Sequence, residues 1–416
     1  MNTKQFHHSS TNWLFDSQLA PFVDLFKHYL IEGQYSSHTV ATYTACLAHF
    51  AHWLTFSLRD INQLNEAVVL EFLDDHLPQC KCAWPVNRNR RDLRAALGHL
   101  LIVLRANSII SDGTQEATSV DIELHRFDEH MNHVSGLLSS TRRNYLHIIR
   151  CLLTQLFPDD QVDISSITPD NIRQFLADQN KKNRTPSSLK MQIVALRGYF
   201  RFRSVYGDQV NHLIGVACSP VNWQLASLPK ALSNKEVDSL LNSIDDLKQT
   251  SRRDIAIVRC ALDLGLRSSE VAKLGLDDIN WQSATITLRK TKSRREDVMP
   301  LPETTGTAIV NYLKLERPQT TSRAVFIRRI APRNKPIGPD AVRKAIRQAY
   351  ARAGLPYTKS HLLRHTMASR LIDGGCSIKE VADVLRHRSL NTTLIYTKLD
   401  SRNLRDIALP WPGCAS

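Results

Sequence analysis

Hydrophobic residues recur at helical spacing near the start of the chain. A stripe from Phe22 to Tyr29 stops at Gly33. Apolar positions that repeat every three to four residues predict amphipathic helices, and glycine commonly ends a helix. Further stripes of the same kind follow at 40–54, 68–73 and 91–104. The pattern therefore predicts a helical unit made of several short helices.

The same order of features returns later in the chain. The motif Thr-x-x-x-Tyr at 39–43 matches the motif at 141–145, and the Phe-Leu pair at 72–73 matches the pair at 175–176. Amphipathic helices resemble one another, so coincidence is the alternative explanation. The matched order nevertheless favours an internal duplication of one helical unit.

The second half of the chain mixes helical and strand patterns. Residues 284–289 alternate apolar and polar side chains, as a half-buried strand does, and 298–301 matches a partner strand. Helical patterns return at 303–316 and 339–353. We therefore predict a mainly α protein of the α+β class. Its duplicated helical N-terminal region precedes a mixed, mostly helical domain with a small antiparallel β-sheet.

Basic residues are concentrated in the C-terminal half. The chain has 54 Lys and Arg and 40 Asp and Glu residues, a net charge of +14. Residues 228–416 have 33 basic and 19 acidic residues, a net +14, whereas residues 1–125 have 9 and 13, a net −4. Concentrated lysine and arginine favour a polyanion, so double-stranded DNA is the expected partner. A basic domain without such a partner is the alternative.

The segment 360–400 concentrates groups that suit a phosphate-like target. His361 and Arg364 are three residues apart in a helical pattern, so they share one helix face. A second predicted helix delivers His387 at its end, and Tyr396 follows it. Imidazole, guanidinium and phenol groups all hydrogen-bond to anionic oxygens.

Six residues in order along the second half form a candidate catalytic set: Arg267, Lys292, His361, Arg364, His387 and Tyr396. Their contexts include LGLRSSEV, TLRKTKSRREDVMPLP, HLLRHT and LRHRSLNTTLIYT. In residue types, order and context this half resembles the catalytic domain of the tyrosine recombinase, or phage-type integrase, family. One position departs from the family pattern, because Arg386 stands where glycine is common. Lys290 competes with Lys292 for the role of the lysine.

The resemblance implies a site-specific DNA recombinase that cuts and rejoins strands through a 3′-phosphotyrosyl intermediate. Such an enzyme needs no metal, ATP or other cofactor, and it would serve the integration or transposition of a mobile element. Tyr396 is the expected nucleophile, His361 its general base and Lys292 the acid for the leaving 5′ oxygen. The two arginines and the second histidine would bind the scissile phosphate. A type IB topoisomerase-like enzyme and a non-catalytic DNA-binding protein on the same fold are the alternatives.

The resemblance also divides the chain into domains and partners. The expected parts are a first helical repeat at 1–122 (an accessory, arm-site or subunit-contact domain), a core-binding helical domain at 123–210, a linker at 211–229, a catalytic domain at 230–400 and a tail at 401–416. Expected DNA contacts are Lys181, Lys182, Arg184, Lys190, Arg197, Arg201, Arg294 and Arg295. We expect a homo-oligomer on DNA, a dimer at one site and a tetramer in the synapse, with other recombinase subunits as further partners.

Cysteine usage and hydropathy indicate a reducing compartment. The 8 cysteines are scattered, which is typical of reduced thiols, and no apolar run approaches the length of a membrane span. A cytoplasmic, nucleoid-associated protein without a membrane partner is therefore expected. His76, Cys80 and Cys82 suggest a metal corner, but no second ligand pair with zinc spacing follows, so no metal site is expected.

Overall fold

In a computed structural model, the described part of the chain is mainly helical, with one small sheet. The structure describes residues 8–82, 86–110, 118–159, 161–182, 185–216, 230–244, 252–289, 296–333, 335–386 and 393. The high helical content and the small sheet confirm the predicted fold class.

The helices and strands follow in chain order. The α-helices of the N-terminal region are α1 His8–Phe15, α2 Val23–Glu32, α3 Ser37–Phe56, α4 Glu66–Glu71, α5 Arg90–Ala106, α6 Ser119–His133, α7 Ser139–Leu156, α8 Pro169–Lys182, α9 Pro186–Val205 and α10 Asn211–Val216. Those of the C-terminal half are α11 Asn234–Ile244, α12 Arg252–Leu262, α13 Ser268–Lys273, α14 Glu303–Leu315, α15 Pro339–Arg352, α16 His361–Asp373 and α17 Ile378–Val384. The strands are β1 Ile279–Asn280, β2 Thr285–Leu288 and β3 Asp297–Pro300.

The first helical repeat folds as its apolar stripes predict. Ser36 is the N-cap of α3, and its side-chain oxygen accepts a hydrogen bond from the backbone N of Thr39 at 3.2 Å. Such a cap satisfies an amide that has no partner inside the helix. Phe26, Phe50 and Phe72 are fully buried. The stripes therefore face inward and form the core of this repeat.

The second helical repeat has boundaries that differ from the prediction. The chain forms two compact units, one of residues 1–107 with 225–416 and the other of residues 108–224. Helix α6 begins at Ser119, so the expected boundary at 122 falls inside a helix. Helix α10 occupies the start of the expected linker, and its Leu213 is fully buried in the core of the second repeat. The linker assignment for 211–216 is wrong, because Gly215 and weak periodicity hid a short helix that buries one leucine.

The C-terminal half surrounds helix α12. Ile257 and Val258 of α12 are fully buried, and the helix contacts α14, α15 and α16. The sheet has the order β1-β2-β3 and is antiparallel, with Ile286 paired to Met299. The predicted strand pair is therefore confirmed, and β1 adds a third strand that was too short for its alternation to show. The turn 290–295 lies outside the described residues.

None of the helices in the described ranges combines the length and the apolar character needed to cross a membrane.

Candidate active site

A tight turn after α12 brings distant segments together. Gly265 has a φ of 59°, in the left-handed region that glycine tolerates. A Cβ at this position would lie 3.0 Å from the Sδ of Met367 and 3.2 Å from a methyl carbon of Leu385. Its carbonyl oxygen accepts a hydrogen bond from the guanidinium of Arg364. Glycine is therefore required both for the backbone angle and for the close approach of α16 and α17.

The Glu270 carboxylate joins two arginines. One oxygen accepts from Arg267 Nη1 at 2.7 Å, and the other accepts from the backbone N of Arg267 and from Arg386 Nη2, each at 2.9 Å. Glu270 is only 8% exposed. Charge-assisted hydrogen bonds of this kind fix side chains strongly. The predicted catalytic Arg267 is therefore held in place by a buried carboxylate.

The same contact sets the start of α13. Serine is a common N-cap residue, so Ser268 or Ser269 would be expected to cap this helix, but Arg267 occupies the N-cap and Glu270 the third helical position. The Glu270 side chain accepts from the N-cap amide, which is one half of a capping box. The serine hydroxyl at 268 contacts Ser360 Oγ at 2.9 Å instead.

Helix α16 contains both His361 and Arg364. His361 is exposed and begins the helix, whereas Arg364, one turn later, is only 5% exposed. The Arg364 guanidinium donates to the carbonyl oxygens of Gly265 and Leu385. The Ser268–Ser360 contact joins the starts of α13 and α16. The chain segments that contain Arg267, His361 and Arg364 are thus brought into contact.

Arg386 occupies the position where the resembled family commonly has glycine, and its backbone adopts the left-handed conformation that favours glycine. Its φ is 54°, which costs an ordinary residue roughly 1–2 kcal/mol. Its side chain is buried, at 9% exposure, and contacts the Met299 sulfur on β3 as well as Glu270. The ion pair with Glu270 offsets the strain and anchors the end of α17, next to His387, to the α13 turn.

The local charges favour an anion. The guanidinium groups of Arg267 and Arg386 both bond to the single carboxylate of Glu270, so positive charge is in excess. Burial by itself raises the pKa of Glu270, but Arg386 and Arg267 outweigh it and hold the pKa below its ordinary value of 4.5. Glu270 is therefore ionised at neutral pH and leaves a net positive site that suits a phosphate.

His365 is a candidate that the sequence did not single out. Burial lowers its pKa, and the nearby His361 and Arg364 lower it further. The imidazole is therefore neutral at physiological pH, next to two residues of the predicted set. The HxxR spacing indicates only the first histidine, His361, because the burial of His365 depends on tertiary packing and cannot be judged from the sequence.

Several predicted residues lie outside the described part of the structure. Of the catalytic set these are Lys292, His387 and Tyr396. Of the predicted DNA contacts they are Arg184, Arg294 and Arg295, together with the competing Lys290 and the side chain of Lys182.

The remaining predicted DNA contacts lie on α8 and α9. Lys181 is exposed and pairs with Asp178 at 3.6 Å. On α9, Arg201 is exposed, while Lys190 and Arg197 are half-buried. The three α9 positions are spaced by seven and four residues, which places them on one side of the helix.

The family assignment rests on matches across nearly the whole chain. The phage integrase family matches residues 230–403. The N-terminal SAM-like domain of phage integrases matches twice, at 23–83 and at 124–204, in agreement with the duplication. The chain therefore belongs to the phage integrase family and is a site-specific DNA recombinase by class.

Individual relatives agree with this family. The integrase/recombinase y4rA of Sinorhizobium fredii is 31% identical over 96% of this chain and 96% of its own length. The tyrosine recombinase XerA of Pyrococcus furiosus is 29% identical over 66% of this chain and 88% of its own. A lambda integrase dimer bound to a COC' core site has the same fold, with a TM-score of 0.52 at 15% identity over 71% of this chain and 98% of that one.

Proposed function

We propose that Tyr396 attacks a DNA phosphodiester that Arg267 and Arg364 hold in the site described above. The assignment depends on one observed contact, which joins the chain segments that contain Arg267 and Arg364. Arg364 donates to the carbonyl of Gly265, a neighbour of Arg267, across 99 positions of sequence. Two planar guanidinium groups in one anchored place suit the non-bridging oxygens of one phosphate.

The bond changes follow from the residue types. The Tyr396 oxygen forms a bond to phosphorus as the bond to the 5′ oxygen breaks, which leaves a 3′-phosphotyrosyl strand and a 5′ hydroxyl. His361 accepts the phenol proton, and Lys292 protonates the departing oxygen. Arg267, Arg364 and His387 stabilise the charge that develops on the phosphate. The phosphotyrosine keeps the energy of the broken bond, so rejoining needs no nucleotide.

The assembly on DNA is part of the proposal. Lambda integrase was captured as a dimer on a core site, and a shared fold supports a dimer of this chain on one site and a tetramer when two sites pair. The second repeat would hold the core site through the basic side of α9, while the first repeat would serve as an accessory or subunit-contact domain. The reaction would move or integrate a mobile element in nucleoid DNA of the cytoplasm.

Trapping a covalent complex tests the proposal. We expect the full chain, incubated with nicked DNA that carries its recombination site, to form a protein–DNA adduct without added metal or nucleotide. Cleavage close to the nick releases a short strand that diffuses away. Rejoining then cannot reverse the cleavage. An adduct that forms only with added magnesium contradicts the mechanism, and absence of any adduct favours a non-catalytic DNA-binding protein. Joining of two sites, rather than relaxation of one supercoiled circle, separates a recombinase from a topoisomerase.

Lys292→Ala should slow cleavage by a factor of about 10²–10⁴, because the leaving oxygen loses its proton donor. Substrates with sulfur in place of that oxygen need little protonation, so they should restore the rate of the variant. Lys290→Ala is the matched control and should cleave both substrates at the normal rate. If Lys290→Ala cleaves slowly and the sulfur substrate restores its rate, while Lys292→Ala cleaves at the normal rate, the general acid is Lys290.

A further inference from the structure

Four metal-ligating side chains meet in the first helical repeat. They are His49, His76, Cys80 and Cys82, whose ligand atoms all lie within 4.8 Å of one another. Cys80 Sγ is 3.3 Å from His49 Nε2, and Cys82 Sγ is 3.6 Å from His76 Nε2. The sequence suggested only three of these residues. His49 lies on the preceding helix α3, and folding brings it to the others.

The two cysteine–histidine separations match those of a tetrahedral zinc site. Zinc–sulfur bonds of about 2.3 Å and zinc–nitrogen bonds of about 2.0–2.1 Å place neighbouring ligand atoms about 3.3–3.8 Å apart in a tetrahedron. Both cysteine–histidine distances fall in that interval. Two thiolates and two imidazoles also balance the charge of a divalent ion, and soft sulfur with imidazole nitrogen favours zinc over magnesium or calcium.

The surroundings orient the ligands as metal sites require. His49 is fully buried, and its Nδ1 lies 2.9 Å from the carbonyl oxygen of Asn87. Donation from Nδ1 to that carbonyl leaves the lone pair of Nε2 directed at Cys80. Such a second hydrogen bond commonly fixes the tautomer of a metal-bound histidine. Arg88 Nη2 donates to the carbonyl of Cys82 at 3.0 Å and so fixes the cysteine segment as well.

The backbone near His76 is unusual in the same place. Residues Phe72–His76 continue α4 as a π-helix, which ends at this ligand. Single π-helical turns are rare in proteins, and those that occur often lie at functional sites. The extra residue in the turn places His76 beside His49, with ring centroids 5.6 Å apart.

The second repeat lacks the same set. Cys151 stands six residues after Tyr145, as His49 stands six after Tyr43, and Gln179 stands four after Phe175, as His76 does after Phe72. Thr185 occupies the place that matches Cys82. The ligand set is therefore not a by-product of the shared helical plan, but belongs to the first copy alone.

We propose that His49, His76, Cys80 and Cys82 bind a zinc ion in the first repeat. All four positions around the ion are filled by protein, so the site is structural and not catalytic. The ion joins α3 to the segment that leads into α5, where Arg88, Arg90 and Arg91 form a basic cluster. It thus fixes the position of that cluster in a domain that is otherwise acidic.

Metal content and cobalt spectroscopy of the full chain test the site. We expect the purified protein to hold one zinc ion per chain by elemental mass spectrometry. Replacement of the zinc by Co²⁺ should give a thiolate-to-metal charge-transfer band in the near ultraviolet and the strong visible bands of tetrahedral cobalt. Cys80→Ser and Cys82→Ser should each lose the bound metal and weaken the charge-transfer band.

Cys151→Ser is the matched control, because it removes a thiol from the corresponding helix of the second repeat. It should keep the zinc and the full cobalt spectrum. The proposal is overturned if the wild-type chain holds no stoichiometric zinc and gives no thiolate band with Co²⁺. It is also overturned if Cys80 and Cys82 form a disulfide in the active protein. The wild-type spectrum decides the matter even if a cysteine variant fails to fold.

Discussion

The Glu270→Ala variant is expected to lose about 3–5 kcal/mol of unfolding free energy, because it removes one partner of a buried ion pair. Arg386 is only 9% exposed, and its guanidinium would remain buried opposite an empty place. Arg267 would lose two hydrogen bonds at the same time, since its backbone and its side chain both bond to this carboxylate. Strand cleavage should therefore fall as well. Denaturant unfolding and the adduct assay measure the two effects.

Asp277→Ala is a suitable control for this experiment. Asp277 also pairs with an arginine, Arg323, but both side chains are more than half exposed. Ion pairs between exposed side chains are screened by solvent and add little to stability, so this variant should unfold almost as the wild type does. Equal stability losses in Glu270→Ala and Asp277→Ala would show that the buried carboxylate has no special role.

The pH dependence of Glu270 has a definite direction. Its folded pKa is held below the ordinary value of 4.5, so the folded state favours the ionised form. The stabilisation is therefore complete above that value and is lost as the pH falls through the lowered folded pKa. The stability difference between wild type and Glu270→Ala should stay constant from neutral pH down to about pH 5 and shrink only in more acidic solution.

Tyr396→Phe should abolish the covalent adduct while leaving DNA binding intact. The change removes one hydroxyl group, which is the proposed nucleophile, and keeps the ring. Loss of a nucleophile commonly lowers a rate on the order of 10⁶-fold, which is below detection in a gel assay. Binding measured by gel shift should be unchanged, because the arginines supply the contacts to the phosphate.

Tyr206→Phe is the matched variant for this test. Tyr206 is 65% exposed on the second repeat, and its ring packs on Phe202, which phenylalanine can also do. It should form the adduct at the normal rate. Peptide mapping of the wild-type adduct should place the DNA on the peptide that contains residue 396. Persistent adduct in Tyr396→Phe would mean that another hydroxyl performs the attack.

Local interactions are the part of this fold that the sequence predicts well. The Ser377–Glu380 capping box forms as its spacing indicates, with the Ser377 amide 2.7 Å from the Glu380 carboxylate. Gly265 and Gly375 take positive φ angles just after helices α12 and α16, where glycine commonly ends a helix. Each of these features is decided within one turn of chain, so a short window of sequence contains its cause.

Contacts between distant segments could not be predicted in this way. The Glu270–Arg386 pair spans 116 positions, and the Cys80–His49 contact spans 31. A glutamate at the third position of a helix is read as a capping residue, and a histidine within an apolar helix as a core residue. Only the ion pair between Glu270 on α13 and Arg386 after α17, and the contact of α3 with the segment after α4, give these side chains their second role.

The shared carboxylate of Glu270 also makes the order of mutations matter during evolution of this site. If Arg386 changes to glycine first, the backbone strain at that position is relieved and Glu270 keeps its bonds to Arg267. If Glu270 changes first, a buried arginine is left without its carboxylate partner, which costs stability. Loss of Arg386 before Glu270 is therefore the less costly of the two orders.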